Sequence, residues 1–177
     1  ISTPVTIVSG LAAAARKGIL IKGGVYLENG RHLAQLALDK TGTLTHGKPV
    51  QTDSVHLLDT DEPIHAVWAA SLAARSDHPV SRALALRAQE QGQALHEVED
   101  FEALPGRGTK GMVDGKLLYI GNHRLVEELG LCSAQLEERL EALERQGKSV
   151  VVLCDEQRAL MLFAVADTVR QTSREAV

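Results

Sequence analysis

The chain has 177 residues, of which 44% are hydrophobic and 24% are charged, and its net charge is −4. This balance excludes a largely disordered chain and a basic nucleic-acid-binding protein, so we expect no nucleic-acid partner. The two cysteines, Cys132 and Cys154, lack the CxxC spacing of structural zinc sites and do not make a disulfide framework. Length and composition predict a globular chain with one domain, or one domain and part of another.

The first stretch of the chain, Ile1–Ala15, carries no charge and is followed by Arg16 and Lys17. It is shorter than the about 20 residues that span a bilayer, and no positively charged segment precedes it as in a signal peptide. We expect it to be the end of a membrane helix that begins before Ile1. Residues 18–24 predict the end of that helix and then a short strand or link.

The rest of the chain predicts a strand, then helices and hairpins, then a returning strand. The apolar run Gln35–Leu38 stops at Asp39, which predicts a buried strand with a polar group at its carboxyl end. The later elements, in chain order, are helices over 62–76 and 80–91 broken at Pro79, a strand over 98–104, a hairpin over 110–121 turning at Asp114-Gly115, a helix capped by Asn122, a helix over 135–146 capped by Ser133 and ended by Gly147, and strands over 150–154 and 159–166. This order predicts an α+β domain inserted into a second domain.

The sharpest chemical signal is the run Asp39-Lys40-Thr41-Gly42-Thr43-Leu44-Thr45. A carboxylate followed by a glycine-containing loop rich in hydroxyl and backbone N–H groups can hold a phosphate, attack it or bind Mg²⁺. A lone Asp before such a turn is usually a solvated turn residue. A given seven-residue string, however, occurs at a given position by chance only about once in a billion.

This string is the phosphorylation motif of P-type ATPases, and the chain resembles that family over nearly its whole length. The heavy-metal subgroup is indicated by further motifs in the expected order: Ser76-Asp77-His78-Pro79 resembles its His-Pro motif, Gly106-Arg107-Gly108 its Gly-x-Gly loop and Gly121-Asn122 its Gly-Asn turn. Ile1-Ser2-Thr3-Pro4 followed by Lys22-Gly23-Gly24 is similar to the exit of a membrane helix and the stalk.

The resemblance implies an α/β fold, in which an antiparallel-sheet α+β nucleotide-binding domain is inserted into a truncated phosphorylation domain of the haloacid-dehalogenase-like (Rossmannoid) type. The implied parts are the end of a membrane helix and the stalk (1–24), the first part of the phosphorylation domain (25–47), the nucleotide-binding domain (48–160) and the return into the phosphorylation domain (161–177). The family's Gly-Asp-Gly magnesium motif, second phosphate loop, catalytic Lys and Cys-Pro-Cys metal site do not occur within these 177 residues.

The resemblance also implies ATP and Mg²⁺ as cofactors and assigns roles to residues. Asp39 is the implied nucleophile and, with the carbonyl of Thr41, forms part of an incomplete magnesium site. Thr43 would hold the phosphate and Lys40 would help to position the site. The implied nucleotide contacts are His78, Gly106, Gly108 and Asn122, and no residue of this chain is expected to bind the transported metal.

Each residue that the resemblance implies as a nucleotide contact also has a simpler structural interpretation. His78 taken alone is more often a surface or core histidine, Gly106 and Gly108 fit a turn before a hairpin, and Asn122 fits a helix N-cap as well as a nucleotide contact. The glycines up to Gly111 match GxGxxG, but a hairpin follows instead of a helix, which excludes a dinucleotide site. A P-loop is excluded because Pro49 follows Lys48 where Ser or Thr is needed. Ala73 stands where heavy-metal pumps usually carry a Glu, which removes one implied adenine contact.

The implied function is the ATP-binding and phosphorylation region of a pump that exports zinc, cadmium or lead at the cytoplasmic face of a membrane through an aspartyl-phosphate. The entry motif Ser2-Thr3-Pro4 with Ser9-Gly10-Leu11 favours this branch over copper exporters. Its partners would be ATP and the rest of the pump, namely the membrane domain, the actuator domain and the remaining phosphorylation domain.

The chain by itself is expected to bind nucleotide without completing catalysis. The alternatives are a copper-exporting P-type ATPase, a haloacid-dehalogenase-type phosphatase, a pure binding module and a degenerate homologue. The phosphatase reading is disfavoured because such enzymes usually carry a second Asp two residues after the nucleophile, where this chain has Thr41.

Overall fold

The computed structural model describes residues 2–58 and 62–176, and it divides the chain into two compact units, 1–38 and 39–177. In the first unit, helix α1 spans Ser2–Arg16 and helix α2 spans Gly24–Asn29. The two helices pack closely, because a Cβ on Gly24 would lie 2.5 Å from Cγ2 of Ile7. The predicted helix at the start is confirmed, although Ile1 lies outside the described residues, and residues 19–23 form a link with no strand.

Neither α1 nor any other helix within residues 2–58 and 62–176 combines the length and the apolar character that a membrane crossing requires.

The strand predicted over Gln35–Leu38 is wrong. Residues 33–39 have no regular secondary structure, and the side chain of Leu36 is 72% exposed. The apolar run had indicated a buried strand, but a strand exists only where a neighbouring strand pairs with its backbone. None of the six strands among the described residues pairs with this segment.

The second unit is built on a six-stranded sheet in which every neighbouring pair is antiparallel. The order across the sheet is β1-β6-β5-β4-β3-β2. The strands are β1 (Thr45–His56), β2 (Glu99–Leu104), β3 (Gly108–Val113), β4 (Lys116–Gly121), β5 (Ser149–Cys154) and β6 (Ala159–Val169). The predicted antiparallel α+β fold is confirmed for this unit.

Strand β1 was not predicted from the sequence. Gly47 and Pro49 interrupt its pattern, and such residues usually indicate a loop. The strand forms because β1 lies at the edge of the sheet and pairs only with β6, so a missing N–H at Pro49 is tolerated. The predicted limits of the nucleotide-binding domain, at 47/48 and 160/161, both fall inside this pair of strands. The division into domains that these limits define stays a prediction.

Helices cover both faces of the sheet. On one face lie α3 (Ile64–Ala73) and α4 (Pro79–Glu90), and on the other lie α5 (His123–Glu128) and α6 (Ala134–Glu144). Alternate residues of β5 and β6 point to the two faces, so Leu153 and Phe163 pack with α3 and α4, whereas Val152 and Leu162 pack with α5 and α6. A short helix, α7 (Gln171–Ala176), follows β6.

The predicted turn and caps are confirmed. Asp114 and Gly115 connect β3 to β4 with positive φ angles of 52° and 72°, as a tight hairpin turn requires. The Trp68 indole N–H donates to the Asp114 carboxylate at 2.7 Å, which ties the turn to α3. Ser133 caps α6 by accepting a hydrogen bond from the backbone N–H of Leu136.

Candidate functional site

The motif beginning at Asp39 forms an exposed loop that leads into β1. Lys40–Leu44 make one wide helical turn, which Gly42 interrupts with a positive φ of 79°. The side chains of Asp39, Lys40, Thr41 and Thr43 are exposed, and none of them makes a hydrogen bond to the residues that the structure describes. The loop therefore presents one carboxylate and two hydroxyl groups to solvent, with their hydrogen-bonding capacity free.

Thr45 is the buried anchor of this loop, being only 1% exposed. Its hydroxyl oxygen accepts a hydrogen bond from the N–H of Gly42 at 3.3 Å and lies 3.1 Å from the carbonyl oxygen of Lys40. The hydroxyl donates its proton to the carboxylate of Asp167 on β6. The last residue of the motif thus closes the loop onto itself and onto the neighbouring strand.

Two charged residues after the apolar part of β6 hold the loop from the other side. The Asp167 carboxylate accepts a hydrogen bond from the N–H of Gly47 at 3.0 Å. The Arg170 guanidinium donates to the carbonyl oxygens of Thr45 at 2.8 Å and Gly42 at 3.2 Å. Sequence reasoning missed Asp167 and Arg170, for which the only signal was an Asp and an Arg three residues apart after an apolar run.

The donor set of the loop fits a hard divalent cation. Carboxylate and carbonyl oxygens, such as those of Asp39 and Thr41, are the protein ligands that Mg²⁺ prefers, and the ion usually keeps several waters. Within the described part of the chain, no group of three or more His, Cys, Asp or Glu side chains is arranged to hold a metal ion. Asp39 and Thr41 would therefore hold Mg²⁺ only as part of a larger set of ligands.

The second candidate site is a cavity of about 240 Å³ between α4 and the sheet. It is lined by His78, Gly106, Gly108 and Asn122, which come from three separate segments of the sequence. Its walls include the apolar side chains of Val80, Leu84, Leu104, Ile120 and Val151. Cavities that enclose a drug-sized ligand typically have volumes of about 300–1,000 Å³, and this cavity is smaller. It would therefore enclose a flat ring and leave the groups attached to that ring outside.

His78 is positioned by the start of α4. Its Nδ1 accepts a hydrogen bond from the backbone N–H of Val80 at 3.3 Å, which makes His78 the N-cap of that helix. Pro79 occupies the first helical position, as predicted. Because Nδ1 is the acceptor, the proton of the neutral ring is on Nε2, and this nitrogen makes no hydrogen bond to the residues that the structure describes.

Gly106 and Gly108 are glycines for two different reasons. Gly106 has a φ of +70° with open space around its Cα, so it supplies a backbone conformation that other residues rarely adopt. Gly108 has no room for a side chain, because a Cβ there would lie 2.1 Å from the carbonyl oxygen of Ile120. Both requirements come from the turn and the sheet themselves, so the glycines alone do not demonstrate a ligand.

Asn122 links the turn at Gly106 to the start of α5 through its side chain. Its side-chain oxygen accepts from the N–H of Leu125 at 3.2 Å as the N-cap of α5, and its side-chain nitrogen donates to the carbonyl of Gly106 at 3.0 Å. The neighbouring Arg107 forms an ion pair with Glu128 at 3.1 Å, with both side chains partly exposed. The predicted cap is confirmed, and the nucleotide contact stays a prediction.

Ala73 is fully buried near the end of α3 and does not line this cavity. It borders a separate, open depression of about 670 Å³ along α4, which shares Ser76 with the cavity.

The family model of haloacid dehalogenase-like hydrolases matches residues 35–177, which include both candidate sites. The chain therefore belongs to the haloacid dehalogenase-like hydrolase family. Within it, the resemblance to heavy-metal P-type ATPases that the motifs predicted is confirmed by individual relatives.

A probable cadmium-transporting ATPase of Staphylococcus aureus is 42% identical over all of this chain and 25% of its own length. A probable copper-transporting ATPase of Synechococcus elongatus is 38% identical over 98% of this chain and 23% of its own length. The crystal structure of a zinc-transporting PIB-type ATPase superposes with a TM-score of 0.88 and 35% identity, covering all of this chain and 28% of that one. The chain thus spans about a quarter of the length of these relatives.

Proposed function

We propose that this chain is the nucleotide-binding and phosphorylation segment of a P-type ATPase that exports zinc, cadmium or lead. Hydrolysis of ATP drives the transport. The complete pump includes a membrane domain, an actuator domain and the rest of the phosphorylation domain, and this segment lies at the cytoplasmic face of the membrane. The observation that carries the proposal is that four residues from three separate segments, His78, Gly106, Gly108 and Asn122, line one cavity in the same chain as the exposed Asp39 loop.

In the proposed reaction, the base of ATP enters the cavity and the triphosphate extends outside it. A carboxylate oxygen of Asp39 attacks the γ-phosphorus, and the bond from this phosphorus to the β–γ bridging oxygen breaks, so ADP leaves with the electron pair. Lys40 positions the reacting groups, and the Thr43 hydroxyl donates to the transferred phosphoryl group. Mg²⁺, held by Asp39 and the carbonyl of Thr41, would offset negative charge. Water later hydrolyses the aspartyl-phosphate.

We further propose that the isolated chain binds ATP without phosphorylating itself. These 177 residues contain the motif at Asp39 but not the family's Gly-Asp-Gly magnesium motif, second phosphate loop or catalytic Lys. Phosphoryl transfer depends on positioning and on stabilisation of charge, and Asp39 without these groups lacks most of both. Transfer of radiolabel from γ-labelled ATP to the chain should be absent, and labelling that disappears in D39A would contradict this.

Cadmium or zinc is proposed over copper because the cadmium-transporting relative is the more similar, at 42% against 38%, and because the zinc pump superposes over the whole chain. A phosphatase is disfavoured because Thr41 stands where a second Asp would act as acid and base. Metal-stimulated ATP hydrolysis by the full-length pump separates the classes. Stimulation by Zn²⁺ or Cd²⁺ supports the proposal, and stimulation by Cu⁺ alone contradicts it.

The test of nucleotide binding is an NMR titration of this chain with ATP in the absence of Mg²⁺. We expect saturable shifts at the backbone amides of His78, Gly106, Gly108 and Asn122. The amides of α6 lie on the other face of the sheet and serve as the internal control. A folded spectrum that does not change at millimolar ATP, or equal shifts in α6, would reject the proposal.

A further inference from the structure

The cavity contains one buried hydroxyl group that the protein does not use. Thr109, on β3, is 5% exposed and lines the cavity. Its Oγ1 is shielded from solvent and has no hydrogen-bond partner among the residues that the structure describes. A buried hydroxyl without a partner costs free energy, and buried polar groups in folded proteins nearly always have partners.

The fold itself does not explain a hydroxyl at this position. Thr109 pairs with Ile120 of β4, and its side chain lies on the face of the sheet that packs with α3 and α4. The residues that share the cavity wall on this side, Leu84 and Ile120, are apolar. A valine has nearly the same shape as threonine and would fill the site without leaving a polar atom unsatisfied, so the hydroxyl has a use outside the folding of the chain.

Two other polar side chains of the cavity form hydrogen bonds within the protein. The Nδ1 of His78 accepts from Val80, and the amide of Asn122 bonds with Gly106 and Leu125. Of these two residues, His78 is exposed and Asn122 is half-buried, whereas Thr109 is buried. Among the described residues that line the cavity, Thr109 is both nearly buried and without a hydrogen-bond partner for its side chain.

We propose that Thr109 determines base recognition, with its hydroxyl hydrogen-bonding to the polar edge of the nucleobase. The proposal rests on the nucleotide-binding function proposed above. A hydroxyl donates one hydrogen bond and accepts others, and the edge of adenine offers both a ring nitrogen acceptor and an amino donor. The hydroxyl oxygen is covered in the unliganded chain, so the proposed contact requires a rotation about χ1 when the base enters.

The test compares T109V, which removes only the hydroxyl, with T109S, which keeps it. Calorimetry with ATP, and separately with adenosine, measures the affinity of each variant. We expect T109V to bind both ligands about 3- to 10-fold more weakly than the parent chain, the effect of one neutral hydrogen bond. T109S should bind more tightly than T109V. An equal loss of affinity for adenosine would assign the effect to the nucleoside and not to the phosphates, because adenosine has no phosphates.

Thermal unfolding without nucleotide separates a ligand contact from a structural one. T109V should melt at the same temperature as the parent chain or higher, because its hydroxyl has no protein partner to lose. A lower melting temperature for T109V would show a structural role and overturn the inference. Equal affinities of T109V and the parent chain for ATP and adenosine would overturn the inference and leave the nucleotide site intact. Absence of ATP binding by the parent chain would instead reject the proposed function, and the inference with it.

Discussion

The hydroxyl of Thr45 donates a hydrogen bond to the carboxylate of Asp167, which lies 122 residues further along the chain. This bond joins the end of the Asp39 loop to β6, the strand that lies next to β1 in the sheet. Because Thr45 begins β1, the position of the loop depends on the pairing of β1 with β6. The stability of this strand pair and the geometry of the candidate phosphorylation loop are therefore coupled.

Replacing Thr45 by valine should therefore destabilise the chain. The change removes the hydrogen bonds of the buried Thr45 hydroxyl with the Asp167 carboxylate and the Gly42 N–H, although Asp167 keeps its bond from the Gly47 N–H, and we expect a loss of about 1–2 kcal/mol in the free energy of unfolding. Urea unfolding followed by the fluorescence of Trp68, the single tryptophan, measures it. T43V is the matched control in the same loop and should change stability by less than about 0.5 kcal/mol. Equal effects of the two variants would contradict the anchoring role.

Variants of His78 separate its role as a helix cap from a role in nucleotide binding. H78N keeps a side chain that caps α4 well, whereas H78A loses the cap and should cost about 1 kcal/mol of stability. We expect both variants to lose the stacking or hydrogen-bonding contribution of the imidazole and to bind ATP about 10-fold more weakly. Normal ATP affinity in H78N would show that His78 serves only the helix.

The glycine in the turn before β3, Gly106, and the first residue of β3, Gly108, should respond differently to replacement by alanine. G106A places a side chain in a positive-φ conformation with open space around it and should cost about 1–2 kcal/mol. G108A drives a Cβ into the carbonyl of Ile120 and should cost about 3 kcal/mol or more. Chemical denaturation of both variants is the measurement. A similar, small effect at both positions would show that the backbones do not approach as closely as described.

The stability of the chain should fall as the pH is lowered from about 6.5, the ordinary pKa of histidine. Burial of His65, which is 3% exposed, lowers the pKa of its imidazole, and the lowering is only partly opposed by Glu62. The unfolded chain then binds a proton at a higher pH than the folded chain, so acid favours unfolding. The nearby charges that also act on His65 are those of His56, Lys116 and Arg158.

Urea unfolding at intervals between pH 7 and pH 5 measures this dependence, which for one proton is at most about 1.4 kcal/mol per pH unit. H65F keeps a ring at the position next to Trp68 and removes the titration. Its free energy of unfolding should vary less over this range than that of the parent chain. The range lies above the region where Asp53 and Asp114, whose pKa values are lowered, take up protons. An unchanged slope in H65F would assign the dependence to another group.

The sequence predicted local features well because their causes are local. The turn at Asp114 and the caps at Asn122 and Ser133 depend on residues within three positions, and the structure confirms all of them. It predicted less well where a partner strand decides the outcome. Gln35–Leu38 has the composition of a strand but pairs with no strand among the described residues, whereas β1 contains Gly47 and Pro49 and still forms, because β6 supplies its hydrogen bonds.

The sequence by itself determined the family, the motif that begins at Asp39 and which four residues are the candidate nucleotide contacts, because short motifs carry that information directly. Only the tertiary structure decided that these four line one cavity, that Asp167 and Arg170 hold the motif loop, and that the Thr109 hydroxyl lies buried without a partner. The reason is physical: each of these relationships joins groups distant in the chain, and their proximity depends on strand order and helix packing, which no local pattern encodes.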